Sequence, residues 1–257
     1  MANTTMSNIL PVVAEDKVAC DRDKLRLQTK DDRSLHQACD RSGSCYSFAV
    51  PRHVTLFLGH SSTCLPNNAN PPVHVTTIPG VAGLLGIAEL ERDIFYIAGS
   101  NFTGAQGRNG MWKLDMRKFK AQDRTVSRPA ASSLVTMIPS ALLLNGISRL
   151  AKNDTSNLLL ADSSAGTITK LNIDTKAYEI VIADPTMSST SDGLGIGINV
   201  IRTHGDRLFF TGLDQGLFAV VPISLSTGLA TGLADIIVPG TLVAADDFAL
   251  SRDSGKA

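Results

Sequence analysis

The sequence predicts an all-β protein folded as a β-propeller. Three observations carry this: a unit of about four short strands that recurs, a period near 50 residues, and Gly- or Asp-centred turns at matching places in each unit. The unit is clearest in "LLNGISRLAKNDTSNLLLADSSAGTITKLNIDT", from Leu143 to Thr175. Gly86, Gly146 and Gly197 open three copies at intervals of 60 and 51 residues, and Phe248 follows Ile198 by 50. A two-sheet sandwich is the competing architecture, but it would leave that similarity accidental.

Taken in chain order, residues 1–71 read as an irregular, Cys-containing N-terminal segment. The stretch "CDRDKLRLQTKDDRSLHQACDRSGSC" is charged and shows no sustained strand or helix period. One strand candidate, "HVTLFLG", precedes "CLPNNANPP", where Pro and Asn mark a loop. Residues 72–257 read as propeller blades. "GIAELERDIFYIAGSN" supplies a strand, a charged turn and a second strand, and "GMWKLDMRKF" supplies a third. The longer first interval is assigned to two loop insertions, "TGAQGRNG" and "AQDRTVSRPAASS". In the next copy "GISRLA", "LLLADSS", "TITKLNIDT" and "AYEIVIA" are four strands separated by polar or Gly turns. The third copy is "GINVIRTHGDRLFFTGLDQGLFAVVPIS", and "DDFAL" begins a fourth. Leu-rich and β-branched strands with only 5% aromatic residues suit blades packed sheet on sheet.

Composition narrows the partners. Lys plus Arg and Asp plus Glu both total 24, so the formal net charge is zero and no basic face invites nucleic acid or an anionic membrane. The apolar runs are too short to span a membrane. "MANTTMSNILPVVAEDK" lacks a basic n-region followed by an apolar h-region, so a cytoplasmic location is expected. The sequons at Asn3, Asn101 and Asn153 are then chance matches. Cys20, Cys39, Cys45 and Cys64 fit no zinc spacing and are expected as reduced thiols.

No common catalytic motif is complete. "GHSST" lacks the closing glycine of a nucleophile elbow, and no zinc helix, P-loop or EF-hand loop is present. "GLGIGIN", from Gly193 to Asn199, is read as a turn entering a strand, because no helix pattern follows it. His204 in "RTHGDR" is a turn residue, and Asp162 and Asp174 are turn formers.

The blade signatures "GVAGLLGIAELERDIFYIAG", "LLNGISRL", "LLLADSSAGTITKLNIDT", "LFFTGLDQGLFAVVPI" and "DDFAL" resemble the fungal branch of the six-bladed SMP-30/gluconolactonase-like β-propellers. The resemblance covers about residues 72–257 and implies a six-bladed ring. Six blades of about 50 residues need roughly 300 residues. With about four recognisable blades the propeller reads as incomplete, either truncated at its C-terminus or reduced, with residues 1–71 as a degenerate first blade. Two activities travel with the resemblance. The fungal branch includes hetero-Diels-Alderases of tropolone sesquiterpenoid biosynthesis, which join a reactive quinone methide to a polyene such as humulene. The wider group includes lactone hydrolases that hold a divalent cation on the propeller axis.

Asn145 and Asn199 stand beside the start of an inner strand, Asp246 and Asp247 hold the matching place in the next copy, and Glu89 lies just inside the preceding one. Under the cycloaddition reading, Asn145, Asn199, Asp247, Glu89 and Trp112 are candidate substrate-binding residues. The two asparagines would donate hydrogen bonds to the heterodiene oxygen. Holding both partners in a reactive pose needs no nucleophile, no general base and no cofactor. Under the lactonase reading, Asn145, Asn199 and Asp247 are oxygen ligands of a hard cation such as Ca²⁺. The residues alone also allow turn-capping by these Asn and Asp side chains, blade packing by Trp112, and a binding propeller without catalysis. The expected partners are hydrophobic small molecules.

Overall fold

The structure is a computed structural model that describes residues 35–39, 45–49, 53–57, 73–100, 109–122, 125–242, 248 and 250; for the first three segments and Val73 it describes the backbone alone. Among these residues the chain forms four four-stranded antiparallel sheets, each a meander in chain order. The first contains β1 (Leu35–Cys39), β2 (Cys45–Ala49), β3 (His53–Phe57) and β4 (Val73–Thr77). The second contains β5 (Gly83–Glu91), β6 (Ile94–Ser100), β7 (Gly110–Asp115) and β10 (Ala131–Met137), interrupted by a small hairpin of β8 (Lys120–Gln122) and β9 (Thr125–Arg128). The third runs β11 (Leu144–Arg149), β12 (Asn157–Asp162), β13 (Thr167–Asn172) and β14 (Tyr178–Ala183). The fourth runs β15 (Ile198–His204), β16 (Arg207–Gly212), β17 (Leu217–Pro222) and β18 (Asp235–Val238). The first sheet spans the junction at residue 72, since β4 is its fourth strand.

Side-chain alternation turns these sheets into a propeller. Successive residues of a strand point to opposite faces. Along β6, Phe95 and Ile97 enter a core shared with Val75 and Trp112, whereas Ile94, Tyr96 and Ala98 enter another with Leu158 and Leu160. Along β12, Leu158 and Leu160 face that second core, while Leu159 and Ala161 enter a third with Ile201 and Phe210. Three separate cores therefore lie between four successive sheets. A two-sheet sandwich buries only the facing sides of its sheets in one shared core, so this arrangement rules it out. Strands buried on both faces are apolar throughout, which is why β6 and β12 read as continuous hydrophobic runs.

The first strand of each sheet is innermost. β5 packs on β11, and β11 packs on β15. Burial falls outward from there: β11 is buried along almost its whole length, whereas the fourth strands β10 and β18 are mostly exposed. This corrects one expectation. "AQDRTVSRPAASS" is not a loop insertion, because it holds β9, the end of β8 and the start of β10. Its strands lie at the outer rim, where a solvated face leaves no apolar alternation to read. The fourth sheet's β18 is likewise a rim strand, with Ile236 and Ile237 half-exposed. In the fourth sheet Phe209 stacks on Phe218 at 6.1 Å, and Phe248 meets Phe218 edge-on at 4.9 Å.

Candidate functional site

The inner strands β5, β11 and β15 are irregular at the same place. The register with the second strand shifts between Leu84 and Ile87 in β5, between Leu144 and Ile147 in β11, and between Ile198 and Ile201 in β15. Bulges of this kind re-aim side chains and are frequent beside functional sites. The first residue inside the bulge is Leu85, Asn145 and Asn199 in turn. Two amides thus occupy a position that the preceding blade fills with leucine.

Glycine lets these strands approach. A Cβ added at Gly86 would stand 2.0 Å from the Asn145 carbonyl oxygen, and one at Gly146 would stand 2.4 Å from that of Asn199. Real side chains do not tolerate either distance, so β5, β11 and β15 step around the axis only because Gly86 and Gly146 are bare. This proximity joins the two asparagines. Asn145 Nδ2 donates to Asn199 Oδ1, and both residues are buried, at 8% and 1% exposure. A second link lies along the same strands, where Ser148 Oγ meets Thr203 Oγ1 at 3.1 Å and accepts from Thr203 N at 3.0 Å.

The loops that lead into the amides are clasped by polar side chains. Asn109 Nδ2 donates to the Ala141 and Leu142 carbonyls, and its Oδ1 accepts from Leu144 N. Asp162 accepts from Leu142 N, Leu143 N and Ala165 N at 2.7, 2.9 and 3.1 Å. The loop into β15 is held by Asp214, which accepts from the backbone N–H groups of Thr190, Leu194, Gly195 and Ile196. "GLGIGIN" is accordingly a turn entering a strand, and its amides wrap an internal carboxylate. Asp162 is a turn former as expected, and His204 closes β15 at an exposed turn.

The other candidates go elsewhere. Glu89 Oε1 accepts from Asp93 N at 2.8 Å, which braces the β5–β6 turn where Asp93 adopts a φ of 61°. Its carbonyl takes a hydrogen bond from Arg149, so it lies level with the far end of β11, four residues or about 13 Å along the strand from Asn145. Trp112 packs between the first and second sheets over Gly99 and Gly110, away from the amide pair. Asp246 and Asp247 lie outside the described residues. One expectation about Asn145 changes: its amide N–H is engaged by Asn199, and the atom left without a partner is its acceptor oxygen, Oδ1. Position in the repeat reveals the residue, but not which of its atoms is spent across the blades.

Beside the seam between β11 and β15, the Asp162 and Asp214 side chains are bound by backbone N–H donors. The groups that shift lie away from it. Burial, aided by Glu91 and Asp174, pushes the Tyr96 hydroxyl up to about 12, and the Arg117 side-chain hydrogen bond holds Asp115 down at about 2. Among the described residues no three His, Cys, Asp or Glu side chains converge on a cation position. One unpartnered amide oxygen does not by itself make a Ca²⁺ site, which takes six to eight oxygen ligands.

Four meandering sheets stepping around β5, β11 and β15 make this chain a β-propeller. No protein-family model matches it. It is 30% identical over 182 residues to a protein of Sarocladium schorii named for an inferred hetero-Diels-Alderase activity, asR5, covering 64% of this chain and 44% of that one. The chain therefore spans less than half of that relative's length. Among solved structures it is similar to an auxiliary nutrient binding protein of Bacteroides thetaiotaomicron, with a TM-score of 0.53 and 13% identity over 80% of this chain and 42% of that one. A protein assigned as a gluconolactonase aligns with a TM-score of 0.49 and 12% identity over 82% of this chain and 72% of that one. No helix among the described residues is long and apolar enough to cross a membrane.

Proposed function

We propose that this protein is a hetero-Diels-Alderase-like enzyme of fungal secondary metabolism, joining a reactive quinone methide of the tropolone type to a sesquiterpene polyene such as humulene. The observation that carries the reading is the buried Asn145 Oδ1, which lacks a partner at the seam of two inner strands, in a chain 30% identical to a protein named as a hetero-Diels-Alderase. Asn145 Oδ1 accepts a hydrogen bond from a hydroxyl of the heterodiene partner. Asn199 holds the Asn145 amide in orientation by accepting from its Nδ2. Leu85 and Val200, both buried beside the amides, supply apolar contact for the polyene. Catalysis is then positioning: orientation of two bound partners is worth on the order of 7–11 kcal/mol in well-arranged intramolecular reactions. A nucleophile is not required.

The test is the cycloaddition itself, with the quinone methide released in solution beside humulene. The expected result is a faster reaction with one product enantiomer in excess, both lost in Asn145→Leu. Racemic product at the uncatalysed rate overturns the proposal. The second reading is a lactone hydrolase with Asn145, Asn199 and Asp247 around a divalent cation. It draws on the same unpartnered oxygen, and it predicts lactone turnover that EDTA abolishes and Ca²⁺ restores.

A further inference from the structure

Two buried side-chain oxygens lack a hydrogen-bond partner among the described residues: Asn145 Oδ1 and Ser163 Oγ. Native proteins leave few such atoms, and each one invites an explanation. The two come from different parts of the chain, and the backbone of Ser163 is hydrogen-bonded to the strand starts that carry the two amides. Ser163 follows β12 in the Asp-Ser-Ser turn and is 0% exposed. Its N–H donates to the Leu143 carbonyl at 2.8 Å, two residues before Asn145. Its own carbonyl accepts from Gly197 N at 2.8 Å, two residues before Asn199. Ser163 is therefore the residue that ties together the starts of β11 and β15, the two strands that carry the amides.

The chemistry of the pair is complementary. Asn145 Oδ1 can only accept, whereas a serine hydroxyl can donate. The neighbouring carboxylate of Asp162 is already occupied by three N–H donors. A neutral group that both donates and accepts satisfies the pair, and an alcohol or enol hydroxyl does so with a single oxygen. We infer that Ser163 and Asn145 form a hydroxyl-recognition subsite, with Ser163 Oγ–H donating a hydrogen bond to the ligand oxygen and Asn145 Oδ1 accepting one from the ligand hydroxyl. This rests on placing the binding site at the Asn145–Asn199 seam, but not on the cycloaddition.

The test uses phenol and toluene, which are matched in shape and differ by the hydroxyl, titrated into the full chain and followed by NMR. The wild type is expected to bind phenol about 3–10-fold more tightly than toluene, the ratio that one or two net hydrogen bonds provide. Ser163→Ala should bring that ratio close to one while leaving toluene binding unchanged. It should also raise Tm by about 2–4 °C, because a buried unpaired hydroxyl is removed. Asn145→Leu, which restores the residue type β5 carries at Leu85, should abolish the ratio in the same way. A wild type indifferent to the hydroxyl overturns the inference, as does a preference that survives both substitutions. A Ser163→Ala protein with lowered Tm and an unchanged ratio also overturns it, since the hydroxyl then serves internal packing. Phenol preference without catalysed cycloaddition would sink the proposed reaction and leave this subsite standing; the reverse outcome would do the opposite.

Discussion

Gly146 of β11 lies against the backbone carbonyl of Asn199 in β15, so close that an added Cβ would stand 2.4 Å from the oxygen. The contact is with backbone, which cannot rotate away. Relief would require the two inner strands to separate.

Gly146→Ala is therefore expected to destabilise the protein by at least about 2 kcal/mol, at the upper end of overpacking costs. Gly86→Ala, whose Cβ would approach Asn145 O to 2.0 Å, should cost as much or more. Denaturant unfolding of the two variants provides the check. A cost near zero for either would mean that the strands have slack the contact does not suggest.

The amide pair separates structural from binding roles. Asn199→Ala leaves the buried Asn145 Nδ2 without its acceptor, and an orphaned donor costs about 1–3 kcal/mol. Asn145→Leu takes that donor from the buried Asn199 Oδ1, but it also removes the unpartnered Asn145 Oδ1, so its cost should be the smaller of the two. Equal losses in urea midpoints for the two variants would contradict this account.

Asp214 organises residues 190–196 through four backbone N–H groups. Asp214→Ala should release those amides to solvent. Hydrogen exchange at Leu194, Gly195 and Ile196 should quicken by at least about tenfold, while core amides such as Phe210 keep the protection that global stability allows. Unchanged exchange at the three loop amides would show that another group holds the loop.

Acid should act through Asp184. Burial pulls its carboxyl upward, but hydrogen bonds from Thr186 Oγ1 and N and from Ala234 N outweigh it and leave the group below its ordinary value of 3.8. A depressed carboxyl stabilises the fold fully above its unfolded value and loses that contribution as pH falls through the folded one. Stability should thus decline below about pH 4, and Asp184→Asn should flatten that limb while leaving the neutral-to-alkaline side unchanged. Melting temperatures at pH 3 and pH 7 suffice; an identical acid limb in the variant would remove Asp184 from the explanation.

Legibility followed burial. β6 and β12 sit between two blades, so their central residues are apolar on both faces and their runs are plain in the chain. β10 and β18 form the rim, where one sheet edge is solvated and side chains carry no alternating pattern. Asn145 and Asn199 could be picked out because they recur at one place in the repeat. Ser163 could not, because a serine after Asp162 has the composition of any polar turn. Its burial comes from the neighbouring blade and from Gly197.

By itself the sequence determined the blade unit, its period, the strand order and the Asn-Gly step that opens β11, because each depends on residues near one another in the chain. Only the tertiary structure decided which polar atoms meet. The pairing of Asn145 with Asn199 spans 54 residues and depends on how closely two bulged strands approach at Gly146. That distance is a property of packing between blades, and it leaves Asn145 with an acceptor to offer rather than a donor.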